Sequence, residues 1–193
     1  MLLAVEGLGK RFGRRWIFRG LSFEFSVGDR VVVLGRNGSG KSTLLKVIAG
    51  LLPASEGRFT IAGDTRLSLG YSALEQALYP HQTVIEHLEL TANLRGCEAR
   101  ADELLDFVGL DYAKNVQAIE LSTGMKARLK MAMAVQARPT VLLLDEPGAS
   151  LDDQGRALVE RIVREQAERG CVLIATNDPN ERRLANVELE LED

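Results

Sequence analysis

The sequence predicts an α/β chain in three successive parts: strands first, then a block of helices, then a strand–helix–strand return. Three observations predict it. The first 34 residues carry two-residue alternation broken by Gly-containing turns. Short runs that are apolar throughout, Val31–Leu34, Val141–Leu144 and Cys171–Ala175, fit buried central strands. From Thr83 to Arg138 apolar residues recur at helical spacing. The 193 residues, 46% of them hydrophobic and 26% charged, suit one domain with its own core and exclude a disordered or collagenous chain. No apolar run approaches the ~18 residues of a membrane span. The N-terminal charges follow the short apolar stretch, so a secretory signal is not expected. Cys97 and Cys171 lack partner spacing and read as structural thiols of a reduced chain. The net charge of −3 argues against nucleic acid as a partner.

In chain order, LLAVEGL (2–8), RWIFRGLSFEFSV (15–27) and RVVVLG (30–35) read as strands separated by turns at Phe12-Gly13 and Val27-Gly28-Asp29. Leu21, Phe23 and Phe25 alternate with Ser22, Glu24 and Ser26, as in a half-buried strand. A helix is expected from Ser42 to Ala49, closed by Gly50 and Pro53. GRFTIAG (57–63) and RLSLGYS (66–72) read as further short strands. Val84 to Leu94 predicts one helix ending at Gly96, Leu104 to Val108 a second ending at Gly109, and Ser122 to Arg138 a third stopped by Pro139. A helix over Leu158–Arg169 then joins the last two buried strands, and 187–192 alternates apolar and acidic residues like an edge strand. Function is expected at the carboxyl ends of the buried strands.

Gly35-Arg36-Asn37-Gly38-Ser39-Gly40-Lys41-Ser42 fits the phosphate-binding pattern G-x-x-x-x-G-K-[ST], and it stands between a buried strand and a helix. Gly38 and Gly40 let the backbone curl so that successive N–H groups, through Thr43, point at phosphate oxygens. The helix behind adds roughly half a positive charge. Lys41 brings a full charge to the β- and γ-phosphates of a nucleotide, and the Ser42 hydroxyl suits Mg2+. Downstream, Val141–Leu144 ends in Asp145-Glu146-Pro147. Such a strand delivers Asp145 to the Mg2+ shell, while alternation turns Glu146 toward the attacking water. The expected fold is therefore a P-loop NTPase with a RecA-like core sheet, an N-terminal antiparallel β subdomain and a helical insertion subdomain. Its core covers approximately 1–73 and 139–193 of a single domain, and the helical part approximately 74–138.

With Leu121-Ser122-Thr123-Gly124-Met125 opening a helix upstream of the acidic strand, the chain resembles the ATP-binding-cassette (ABC) ATPases, whose signature reads L-S-G-G-Q. The resemblance covers essentially the entire chain in family order. It implies that Phe12 stacks on adenine, and that Ser150-Leu151-Asp152 touches a partner subunit. It implies further that Ser122 and Gly124 of one subunit close over ATP held by the other, in a homo- or heterodimer. Thr123 and Met125 depart from the signature. The family's usual Gln after the strand near Tyr71 falls on Leu74, with Gln76 two places on, so that Gln76 substitutes only if the loop shifts. Asn177 stands where a His usually touches the γ-phosphate. An amide still donates a hydrogen bond there but carries no charge or proton, so slow hydrolysis is expected unless Glu146 alone suffices.

Weaker signals add little. Lys10, Arg11, Arg14, Arg15 and Arg19 form a basic cluster that reads as a solvated hairpin rather than a lipid contact. Lys126, Arg128 and Lys130 are expected to face solvent or a partner. His81 and His87 lack ligand spacing, so no metal beyond Mg2+ is proposed. The resemblance implies an ATPase subunit of a transporter, cytoplasmic and held at the inner face of the membrane through a separate permease docked near residues 74–95. The signature and the TVIEHLELTANLRG stretch look most like exporter ATPases. Alternatives are an ABC-type switch that transports nothing, and a catalytically weak cassette paired with a more active one.

Overall fold

The computed structural model describes residues 1–191. Three strands, β1 (Leu3–Phe12), β2 (Arg15–Phe25) and β4 (Glu56–Ile61), form an antiparallel sheet in the order β2-β1-β4. A second sheet is wholly parallel. It runs β5 (Leu69–Ala73), β6 (Val141–Asp145), β7 (Cys171–Ala175), β3 (Arg30–Leu34), β8 (Val187–Glu190). The expected edge strand is thus β8 at the sheet's end, and Glu192 lies outside the described residues.

Alternation along β6 sorts its side chains between two layers. Val141 and Leu143 join the cluster formed with α1 (Lys41–Ile48) and the antiparallel sheet. Leu142 and Leu144 join the other, formed with α3 (Val84–Arg95), α4 (Ala101–Val108), α5 (Thr123–Val135) and α6 (Asp153–Arg169). Burying apolar side chains on both faces, at ~25 cal/mol per Å², explains why β7 and the Val141–Leu144 stretch of β6 are apolar throughout rather than alternating. Register then aligns the strand ends: Val33 pairs with Ala175, and Ala175 with Asp145. The loops that follow β3, β6 and β7 therefore emerge side by side.

Local chemistry sets the helix ends. Thr83 and Glu86 form a reciprocal capping box at the start of α3, and Gly96 and Gly109 close α3 and α4 in the left-handed conformation. One expectation fails. Where a strand was expected from Arg66, Asp64 caps a short helix, α2 (Thr65–Ser68), and the strand starts only at Leu69. Asp152 likewise starts α6 earlier than Leu158, and a last short helix, α7 (Pro179–Arg182), follows β7.

Candidate functional site

The loop between β3 and α1 has the curvature its glycines permit. Gly38 and Gly40 sit at φ 84° and 101°, a region that L-residues avoid. A Cβ on Gly40 would stand 2.4 Å from Ile17 Cγ2 of β2, so the loop is pressed against the antiparallel sheet. Side chains cap the N-termini of α2, α3, α5, α6 and α7. By contrast, α1 is preceded by Gly40 with no side-chain cap. Its first-turn N–H groups, including those of Ser42 and Thr43, are left to an anion. Ser39 Oγ, buried in the same loop, has no hydrogen-bond partner.

Lys41 is 7% exposed. Its ammonium donates to the carbonyls of Gly35 and Arg36, at 2.8 and 3.2 Å, and to Asn177 Oδ1 at 3.1 Å. Ser42 Oγ donates to Asp145 Oδ1 at 2.8 Å. Asp145 lies on the α1 side of β6, which is why the two meet. Burial pushes its carboxyl above the usual range, against the lowering effect of Ser42 and of the Lys46 and Lys41 charges. Glu146 is not placed by strand alternation. β6 ends at Asp145, and Glu146 turns at φ 49°. Its carboxylate accepts from Thr176 Oγ1 and Asn177 Nδ2, both at 3.4 Å. Asn177 Nδ2 also donates to Asn37 Oδ1 at 2.7 Å. Asn177 thus bridges Lys41, Asn37 and Glu146.

The donor set tests whether a divalent cation fits. Among the described residues no three acids, histidines or cysteines cluster as a cage. One hydroxyl and one carboxylate in contact suit a hard ion that keeps waters and takes its other ligands from phosphate, as Mg2+ does.

Other expected site residues stand apart. Phe12 ends β1, 51% exposed, with the Lys10 ammonium 4.9 Å from its ring centroid. Ser122 caps α5, accepting from the Met125 N–H at 3.2 Å, and remains exposed. Gly124 lies against Ser150, where an added Cβ would be 3.4 Å from the Ser150 carbonyl oxygen. Arg128 ties α5 to Asp152 at 3.0 Å. Among the described residues no hydrogen bond joins Ser122 or Gly124 to Lys41, Ser42 or Asn177.

Gln76 does not reach the acidic pair. Leu74 lines the cleft holding Asp145 and Glu146, whereas Gln76 walls two neighbouring grooves, its Oε1 buried without a partner. Lys130 overturns an expectation: it is buried and hydrogen-bonded to the Leu74 carbonyl rather than facing solvent. Its burial, and then the nearby Lys126 charge, lower its pKa. Periodicity could have found it, since Ala127, Met133 and Ala134, three or four residues away on the same face of α5, are apolar.

Residues 18–149, more than half of the sequence, match the family model described as ABC transporter. The chain belongs to the ABC transporter ATP-binding family. It is an ABC ATPase subunit, and such subunits dimerise and work with membrane permeases. Over 187 residues it is 38% identical to the cytochrome c biogenesis ATP-binding export protein CcmA of Bradyrhizobium diazoefficiens, covering 91% of this chain and 94% of that one. It is 32% identical to the linearmycin resistance ATP-binding protein LnrL of Bacillus subtilis, with 91% of this chain and 61% of that one covered. It is also 37% identical to the aliphatic sulfonates import protein SsuB of Burkholderia ambifaria, with 93% of this chain and 57% of that one covered. The ABC chain thus spans about three fifths of two of these three relatives. Among solved structures, an ATP-binding subunit of an ABC transporter superposes with TM-score 0.91 at 26% identity, over 100% of this chain and 86% of that one.

Proposed function

We propose that this chain hydrolyses Mg-ATP in the cleft between the β3–α1 loop and the ends of β6 and β7, and so energises a separate membrane permease. The observation that carries this reading is the convergence of Lys41, Ser42, Asp145, Glu146 and Asn177 at adjacent ends of parallel strands. Bound Mg2+ would neutralise phosphate charge, held by Ser42 and Asp145. Gly35, Asn37, Gly38, Ser39, Gly40 and Thr43 form the phosphate cradle. Lys41 leaves its loop carbonyls and Asn177 for the β- and γ-phosphates. Glu146 takes the proton of the attacking water. Asn177, already on Glu146, donates to the γ-phosphate. Phe12 offers its exposed face to adenine. Exposed Ser122 and half-buried Gly124, neither hydrogen-bonded to this chain's own phosphate loop, complete the site of a second subunit.

The permease docks in a groove of about 600 Å³ walled by Leu51, Leu69, Tyr71, Gln76, Leu94 and Arg95. Leu51 and Leu94 are 60% and 70% exposed there, and the Tyr71 hydroxyl is buried without a partner. Gln76 thus serves the groove rather than the water. The chain would sit at the cytoplasmic face of the membrane through this contact. Export is the direction we assign, supported by likeness to an export protein along nearly its whole length. A slow cassette paired with a faster one is the second reading, favoured by Leu74 in the cleft wall and by Asn177 in place of a titratable group.

Leu94→Glu tests docking. The variant should bind and hydrolyse ATP alone as the wild type does, yet lose co-purification with the membrane protein that the wild type retains. Undiminished co-purification would refute the groove as the docking site.

A further inference from the structure

α5 buries a cation among apolar neighbours. Lys130 is 7% exposed, between fully buried Leu129 and Met131. An ammonium carries three donors, and among the described residues its hydrogen-bond acceptor is the Leu74 carbonyl. Burying a charge without a counter-ion is costly.

What the cation touches gives it a role. Leu74 directly follows Ala73, which pairs with Asp145 across the β5–β6 ladder. Leu74 and Lys130 line one small cleft with Asp145, Glu146 and Ser150. On its other side Lys130 lines a groove with Gln76. The same helix starts at Ser122, and eight residues of helix carry the chain ~12 Å to Lys130. A rigid α5 therefore links the exposed Ser122 end to the loop beside the acidic pair.

We propose that Lys130 is a positioning residue for hydrolysis: its ammonium holds the Leu74 carbonyl so that the Leu74–Gln76 loop moves with the helix carrying Ser122. This inference rests on the assignment of Glu146 to the attacking water. Arg100 provides the structural counterpart. It holds carbonyls at the far end of α5, those of Val135 and Gln136, at 3.2 and 3.3 Å, away from the acidic pair.

The test compares Lys130→Met, Lys130→Arg and Arg100→Met in the full chain. Three quantities are read: ATP turnover, affinity for a non-hydrolysable ATP analogue with Mg2+, and amide hydrogen exchange. The Gln76 N–H, bonded to the Ala73 carbonyl at 3.2 Å, is the local probe. Lys130→Met should lose at least tenfold in kcat, keep analogue affinity within threefold, and exchange faster over residues 74–78. Lys130→Arg should keep at least a third of the wild-type rate. Arg100→Met should lower the Tm and leave kcat within twofold. If Lys130→Met fails to fold, Lys130→Gln takes its place with the same expectations. Turnover within twofold of wild type in the neutral variant, an equal loss in Arg100→Met, or a folded Lys130→Arg as slow as the neutral variant would each overturn the proposal. Glu146→Gln separates the two claims: full turnover in that variant refutes the assignment of Glu146 itself, whatever the Lys130 variants do.

Discussion

Alanine at Gly40 strikes the phosphate loop where it is most confined. Two penalties act at that position. Holding an L-residue at φ 101° costs roughly 1–2 kcal/mol. The added Cβ would also meet Ile17 Cγ2 at 2.4 Å. Because that methyl sits on a branched Cβ it cannot swing clear, and such overpacking costs roughly 1–3 kcal/mol. The loop relieves both by leaving the conformation that aims its N–H groups inward, so the penalty falls on nucleotide binding. Their sum, about 2–5 kcal/mol, corresponds to roughly 30-fold to several-thousand-fold weaker binding. Calorimetric titration with a non-hydrolysable ATP analogue and Mg2+ measures it. Ile17→Ala combined with Gly40→Ala should recover about tenfold by removing the overlap while leaving the backbone strain. Gly7→Ala, at φ 57° with nothing within 4 Å, carries only the strain and lies outside the cleft, so its affinity should match wild type. Gly40→Ala binding within threefold of wild type would refute the reasoning.

Two further outcomes are expected. Asn177→His should raise turnover by about tenfold, the effect of ~1.4 kcal/mol at the transition state, with analogue affinity little changed; equal rates in steady-state ATPase assays would show that position 177 does not limit hydrolysis. Glu181 is a buried carboxylic acid whose pKa burial pushes above the usual range, against hydrogen bonds from Thr176 and Gly148. A folded-state pKa above the unfolded value means that the ionised form opposes folding, so stability falls as pH rises from the ordinary carboxylate range through the raised value. Glu181→Gln should therefore gain stability relative to wild type at pH 8 compared with pH 5, read by urea denaturation, and an equal difference at both would contradict the sign.

Much of this site is written in local sequence. The phosphate loop follows from glycine spacing, and Asp145 reaches Ser42 because β6 alternates between two buried layers. Glu146 shows where that logic stops: its direction is set by a left-handed turn after the strand. Lys130 shows a second limit. Its charge suggested solvent, while Ala127, Met133 and Ala134, three or four residues away, already placed that side of α5 indoors. The choice between Leu74 and Gln76 depended on where β5 ends, and Asp64 shifted its start by capping a helix turn inside the expected strand. The contact between Gly40 and Ile17 joins the β3–α1 loop to the antiparallel sheet and had no local signal at all.

The central claim is that Glu146 activates water on ATP held by Lys41, Ser42 and Asp145. Glu146→Gln keeps the side chain's size and one acceptor oxygen but removes the base. Turnover of Mg-ATP by the purified chain should fall by about 10²-fold or more, with affinity for the ATP analogue within threefold of wild type. Hydrolysis at the wild-type rate in a folded Glu146→Gln chain would contradict the account.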